Sequence, residues 1–531
     1  MKNGLKISLF TSVFGVALLI AYYIFYNNFD KSGKAMDRNI VLTFTQPHSS
    51  LDPLDADASN NIRVARMLFS TPIHTSLKDK LESFVLESFS YSPEERRVDL
   101  NLKENLFFSD GTPLTEHDIA LSITRMLYTR PYFPTIKHIA GKDEWLKEKF
   151  PLKSLPKGIK IAPGKISIWY DTPVKHPLFR FTLEIFGIIP SKCIDLEKNI
   201  ITCSDIPLSG PYKISNKLDK VTDFVLRDDF QKEMTGWMPK KISFIYDSLD
   251  TFIQKNENSN NTEIVLMGLT SEATNSELQK LKDKYFVRFL PKSGMSYLLI
   301  NNSNPLFKNR ICRQLFADRF RATFTKMADK PELSSSSFWP QIVGGYIGDF
   351  ELTSTRNYSE SDINECTAAL KFSGVKWGAM SKNKNSFFVQ AIKETIKSFG
   401  IESEPILYND IAKRSDDFNN GYLDIGLYFT GLWPLDPYGD AEMLFSPGMH
   451  TQHKAFHNDI HLQTSISTLN SDIPVQQGTE IARELNQYLF QEAMFNVYAH
   501  MSTFYASKNA NTLKHLPSAV TGAYPWQVFH E

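Results

Sequence analysis

Between Glu95 and Leu127 the chain prescribes three consecutive elements, and this run constrains the fold more than any other. Val98, Leu100 and Leu102 alternate with Asp99, Asn101 and Lys103, the period-two signature of a strand with one buried face. Ser109-Asp110-Gly111-Thr112 supplies turn chemistry, and Thr115 followed by Asp118 has the spacing of a capping box, in which side chains satisfy the free amides of a helix start. Ile119, Ile123, Met126 and Leu127 then recur at helical spacing. A second unit opens near Ser386: Val389, Ile392, Ile396 and Phe399 share one helical face and Gly400 stands where a left-handed cap ends the helix. The apolar runs within IESEPILYND and DIGLYFTG follow as strands. Strands alternating with helices predict an α/β fold. There is no internal repeat, and NENSNN (256–261) and the four serines Ser334 to Ser337 read as surface loops.

With 531 residues, 42% of them hydrophobic, the chain is too long for one ordinary core and two or three lobes are expected. Its 59 basic and 59 acidic residues cancel and are scattered, which leaves counterion release little to act on and argues against a nucleic-acid partner. Lys2 and Lys6 precede the apolar run Ile7 to Tyr26, long enough at about 1.5 Å per residue to span a bilayer's hydrocarbon core. The run ends in Tyr22, Tyr23, Phe25 and Tyr26 without a small-x-small cleavage site, so an uncleaved signal anchor is favoured over a cleaved signal, with the chain from about Asn27 outside the cytoplasm. No cysteine near the end of the run is available for lipid attachment. Cys193, Cys203, Cys312 and Cys366 allow three pairings, of which Cys193 with Cys203 closes most easily; four buried thiols are the alternative.

The segment NLKENLFFSDGTPLTEHDIALSITRML resembles a strand, D-G-T-P-L-T, helix signature of bacterial extracellular solute-binding proteins of family 5, the peptide- and nickel-binding proteins of ABC importers. QPHSSLDP (46–53), SGPYKI (209–214), YLLINNSNPLFKNRICRQLFADRF (297–320) and DIGLYFTGLWPLDPYGDAEMLF (424–445) are similar to further motifs of that family, in the same order. The resemblance implies a two-lobed periplasmic-binding-protein clamp, class II of the large type with an extra subdomain, preceded here by one transmembrane segment. It divides the chain into an anchor and linker (1–36), lobe I (37–57, 165–290 and 500–531), a subdomain inserted in lobe I (58–164) and lobe II (291–499). Hinges are expected near Phe289 to Tyr297 and Phe495 to Phe504. It implies a monomer that binds a peptide or related solute and delivers it to an ABC permease and ATPase complex, with no cofactor and no metal.

By the same resemblance the ligand meets Tyr297, Thr430, Gly431, Trp433, Asp436 and Asp440, with His48 and Ser49 at the edge of lobe I. Peptide-binding members place an Asp four residues before the Pro of the D-P turn to pair with the peptide amine; in this chain that position is Trp433. Enclosing an ammonium without its carboxylate typically costs about 3–5 kcal/mol, two or more decades in affinity. Trp433 offers a ring face for a cation instead, with Asp436 or Asp440 as shifted sources of charge; the plainer alternatives are a packed Trp433 and an Asp436 that shapes the turn. A metal chelate, haem or other non-peptide cargo, or a membrane-anchored sensor that kept the clamp, therefore remain as other readings. His450, His453, His457 and His461 lie close together, but Gly448 and Asn458-Asp459 break the segment into a loop and a helix start, so they read as surface histidines. Nucleophile-elbow, zinc-protease, phosphate-loop and C-x-x-C motifs are all absent from the sequence, and no enzyme is expected.

Overall fold

The structure is a computed structural model. It describes residues 36–44, 50–56, 59–75, 80–218, 221–230, 238–246, 251, 254, 264–269, 275–302, 305–328, 337–339, 356–381, 387–431, 437–446, 454–471 and 473–508. The predicted anchor lies outside these residues; among them no helix is long and apolar enough to cross a membrane.

In chain order the elements that matter here begin with β1 (Met36–Phe44), β2 (Leu86–Ser92), β3 (Arg97–Leu102), α1 (Glu116–Thr129), β4 (Ile159–Ala162) and β5 (Lys165–Trp169). There follow β6 (Tyr212–Leu218), β7 (Val221–Leu226), β8 (Pro239–Tyr246), β9 (Ile264–Leu269) and β10 (Phe286–Ile300). Next come α2 (Arg310–Ala328), α3 (Glu360–Ser373), β11 (Trp377–Met380), α4 (Phe387–Lys397), β12 (Ile406–Tyr408), α5 (Ile411–Asn419) and β13 (Ile425–Gly431). The last are α6 (Pro437–Phe445), α7 (Ile460–Leu469), α8 (Val475–Glu492) and β14 (Phe495–Ser507).

Ten strands form one sheet in the order β6-β7-β8-β1-β9-β14-β10-β13-β11-β12. Its sixth and seventh strands, β14 and β10, are antiparallel to each other along most of their length, from Phe286 opposite Ser507 to Leu299 opposite Phe495. They cover the segments where the sequence places the hinges. The core divides on either side of them. One apolar cluster draws on residues from Leu54 to Tyr246 and reclaims Tyr505 from the end of β14. Two others, on opposite faces of β10, draw on residues from Met295 to Ala499.

The strand, turn and helix read from the sequence are present as β3, a turn with Gly111 at φ 79°, and α1. Thr115 and Asp118 form the capping box, the Asp118 carboxylate accepting from the Thr115 amide at 2.9 Å. Strands β2, β3, β5 and β4 make a separate four-stranded sheet in that order. The expected subdomain boundary at 164/165 falls inside its β4–β5 hairpin, where Ala162 pairs with Lys165. Gly210 of the SGPYKI motif is dictated by packing: a Cβ there would lie 2.5 Å from the carbonyl carbon of Leu68. Asp52 of the LDP motif caps a short helical turn through the Leu54 amide and accepts a 2.8 Å bond from Arg125. Both disulfides form, Cys193 with Cys203 and Cys312 with Cys366. One expectation is corrected: Ser337, last of the four serines, is no surface residue. It is buried, and its carbonyl accepts a 2.9 Å bond from His500 of β14 while its hydroxyl meets Asn486 of α8, because the chain passes inside between those elements.

His74 is expected to make the first half of the molecule sensitive to pH. Its ring stacks on Phe84 at 4.2 Å, and burial, aided by the charge of Lys103, lowers its pKa to about 4 from the usual 6.5. A folded-state value below the unfolded one means that the stabilisation is complete above pH 6.5 and is lost as pH falls towards 4, because the unfolded chain takes the proton first. The difference is worth about 3 kcal/mol. His74→Phe keeps the stack and removes the titration, so urea unfolding of wild type should weaken between pH 6.5 and 4 by about that much more than unfolding of the variant. Parallel curves would show that His74 does not carry this dependence.

Candidate functional site

Strands β11, β12 and β13 run parallel, so their carboxyl ends at Met380, Tyr408 and Gly431 face the same way. In open α/β sheets this end leaves a crevice that helices and loops complete. Here α5 begins just past β12 and α6 just past β13. The edge of the crevice is formed where Gly431 lies opposite Gly294 and Thr430 opposite Met295, with Met295 in turn opposite His500 of β14. A Cβ on Gly431 would meet nothing within 4 Å, so the chain borders open space there.

Four of the eight residues singled out in the sequence fall among the described residues. Thr430 and Gly431 lie together at the end of β13, the first half-buried and the second exposed, and the Thr430 hydroxyl donates to the Gly431 carbonyl at 3.0 Å. Asp440 is fully buried on α6. Tyr297 is 3% exposed, its ring stacked on Phe495 at 4.4 Å and on Tyr428 at 5.8 Å, and burial pushes its hydroxyl pKa well above the ordinary value. In this conformation it packs beneath the crevice instead of lining it. His48, Ser49, Trp433 and Asp436 lie outside the described residues.

The sequence reading did not anticipate how α6 closes back onto the first half. Glu442 of α6 pairs with Lys137. Lys175 donates to the Leu469 carbonyl at 3.1 Å and holds its ammonium 5.3 Å from the centre of the Tyr438 ring. Met443 packs against the apolar cluster of the first half. Arg180, 1% exposed, occupies the space that a side chain at position 439 would need: a Cβ on Gly439 would lie 2.6 Å from its Cζ and closer still to Nη2. Beside this seam His138 accepts or donates a 2.8 Å bond with Thr172, and its pKa is lowered by burial and by neighbouring Lys137. One signal in the sequence pointed to this seam. A glycine inside a helix costs about 1 kcal/mol and marks a close approach when kept, and Gly439 is such a residue.

Of the clustered histidines, His457 ends a short helix and His461 begins α7, capped by Asp459 through the Leu462 amide at 3.0 Å. The break between the two helices is the one expected from Asn458-Asp459. His461 packs edge-on against Tyr488 at 4.5 Å, whereas His450 and His453 lie outside the described residues. Among the described residues no group of His, Cys, Asp and Glu side chains is arranged to hold a metal ion.

Comparison with known proteins agrees with this architecture. The chain's fold is similar to that of the ABC transporter-associated periplasmic binding protein DppA from Helicobacter pylori in complex with the peptide STSA, at TM-score 0.72 and 15% identity over 94% of this chain and 98% of that one. It is also similar to the Escherichia coli murein tripeptide binding protein MppA, at 0.69 and 16% over 94% and 98%. NikA from Brucella suis in complex with Fe(III)-EDTA aligns at 0.67 and 14% over 92% and 99%. No curated protein matches the sequence. The family model described as bacterial extracellular solute-binding proteins, family 5, middle, matches residues 80–451, and a match over most of a chain whose two cores share β10 and β14 places this protein in that family, the solute-binding proteins of ABC importers.

Proposed function

We propose that the chain captures a peptide or peptide-like solute between two lobes that hinge on β10 and β14, and delivers it to an ABC permease and ATPase complex from an anchor formed by Ile7 to Tyr26. The observation that carries this reading is the pairing of two cores joined by two long strands with a helix, α6, that returns from one to the other. Contacts that only the closed arrangement makes are what such a motion requires, and a solute touching both lobes favours the closed state by its differential affinity. The proposed solute site takes in Thr430 and Gly431 at the crevice edge, with Trp433, Asp436, Asp440, His48 and Ser49 as further contacts implied by the family resemblance. Tyr297 supports it from below.

A second reading, a non-peptide solute, is favoured by one residue. Trp433 stands where the family's peptide binders carry the amine-pairing Asp. Among the structural neighbours are both a peptide complex and a Fe(III)-EDTA complex, so the fold itself does not decide. Thermal unfolding of the full chain against a peptide library, nickel chelates and haem, with mass spectrometry of whatever co-purifies, separates the two. Peptides that raise the unfolding temperature and appear in the co-purified material support the first reading. A chelate or haem that does so while peptides do not sinks it.

A further inference from the structure

Between β9 and β10 the helix Asn275–Lys284 returns along the first half, since both strands run antiparallel to β14 and therefore in one direction. Leu278, Leu281 and Tyr285 are buried at spacings of three and four, and Lys280, Lys282 and Lys284 are exposed. Phe286 and Phe289, which open β10, are 57% and 39% exposed. Two ammonium groups lie near rings here: that of Lys282 is 5.4 Å from the centre of the Phe289 ring, and that of Lys508 is 5.9 Å from the centre of Tyr285. Among the described residues β13 pairs with β10 only from Gly294 onward, so Phe286 to Phe289 have β14 on one side and no strand on the other.

Lysines in the last turn of a helix complement its dipole and by themselves call for nothing outside the chain. Phenylalanines left exposed among them do, because such rings gain by leaving water. From Asn275 to Phe289, with Lys508, five basic residues (Lys280, Lys282, Lys284, Arg288 and Lys508) outnumber the acidic Glu277 and Asp283. Rings set beside lysines match a lipid interface. There the rings enter the boundary between headgroups and acyl chains, while the ammonium groups stay with the phosphates.

We infer that the start of β10 and the helix before it dock on the anionic headgroups of a bilayer. The inference rests on the reading that Ile7 to Tyr26 is an anchor, and the length of chain after that run puts the surface within reach. β1 begins at Met36, ten residues beyond Tyr26, a tether of at most about 36 Å. Across the sheet Leu42 stands opposite Val265, Val265 opposite Ser507 and Ser507 opposite Phe286. Six residues along β1 and three strand spacings across put Phe286 about 25 Å from Met36. β1 and β10 run the same way, so both begin at the end of the sheet remote from Leu299 and the second half. Docking there holds the first half to the membrane and leaves the second half, joined through β10 and β14, to move over it.

The test reconstitutes the full chain, wild type and K280Q/K282Q/K284Q, into vesicles of phosphatidylcholine alone or with phosphatidylglycerol. Amide hydrogen exchange from Leu278 to Phe289 is followed, and carbonate extraction reports insertion of the anchor. Each lysine close to an anionic surface strengthens docking about fivefold, so exchange in wild type should slow by about 10-fold or more on the phosphatidylglycerol vesicles. High salt should reverse that slowing. The triple variant should exchange at the phosphatidylcholine rate on both vesicles, and F286S, which keeps the lysines, should lose part of the protection. Thermal unfolding at the wild-type temperature shows that each variant is folded, and the lipid and salt dependence of wild type carries the test if one is not. Wild-type exchange equally slow on both lipids, or slowed on neither, would overturn the docking surface, and a carbonate-resistant chain would then leave the anchor standing. Salt-sensitive protection of a chain that carbonate releases would keep the surface and sink the anchor. Protection that rises with protein concentration in detergent, without lipid, would give this face to a second copy and overturn the inference.

Discussion

A Gly439→Ala chain should bind its cargo about 10- to 100-fold more weakly than wild type while each half keeps its own stability. The reason is geometric. Gly439 belongs to α6, and the atom that an alanine would add collides with the guanidinium of Arg180 from the other half. Arg180 is 1% exposed, so its head group must shift within packed surroundings to admit that atom. Overpacking of this kind typically costs about 1–3 kcal/mol, and under the proposed hinge motion it falls on the arrangement in which these two surfaces meet. If closure is coupled to binding, apparent affinity weakens by the same factor. Two readouts distinguish this from general damage. Small-angle scattering with cargo present should give a larger radius of gyration for the variant, and urea unfolding should change little. A variant that loses stability as much as affinity would place Gly439 in the packing of its own half. Glu442→Gln probes the same seam by charge, because Glu442 is 7% exposed in its pair with Lys137, and it should weaken closure without adding volume.

Much of this architecture was legible from local chemistry. Alternation from Val98 to Leu102, the turn at Gly111 and the Thr115–Asp118 box each depend on neighbours within a few residues, and all three are in place. Gly400, expected as a left-handed cap, has φ 75°. The two hinge segments came from family motifs, and each lies on one of two long neighbouring strands inside the sheet. Illegible were relations between residues far apart in the chain. The seam of Lys137, Lys175 and Arg180 against α6 joins two halves folded separately, and no periodicity records which surfaces will meet. Tyr297 came from resemblance to a cleft-facing tyrosine, and a motif gives a position on a strand without saying what packs over its side chain; here the ring lies on Phe495.

The second large effect is expected from the disulfides, and their ranking reverses the one suggested by ease of closure. Cys193 and Cys203 are 10 residues apart and close a small hairpin, whereas Cys312 of α2 and Cys366 of α3 are 54 apart. A cross-link stabilises chiefly by removing conformations from the unfolded chain, and that loss grows with the logarithm of the loop it closes. The loop-entropy relation gives about 3 kcal/mol for the short loop and about 4 kcal/mol for the long one at 25 °C. Burial adds to the difference. Cys312 and Cys366 are 3% and 1% exposed in the cluster that holds Leu315, Phe316 and Leu370, so replacing both by alanine also removes packed sulfur, while Cys203 is only half-buried. The C312A/C366A chain should therefore lose at least about 4 kcal/mol in urea unfolding of the second half, more than the C193A/C203A chain loses in the first. The two losses should add, since the bridges lie in different clusters and share no partner. Under reducing conditions wild type should approach the doubly bridged deletion, and the two single deletions should converge on it. Equal losses for the two bridges, or a larger one for the short loop, would show that local strain or structure in the unfolded chain outweighs loop length in setting the stability of this fold.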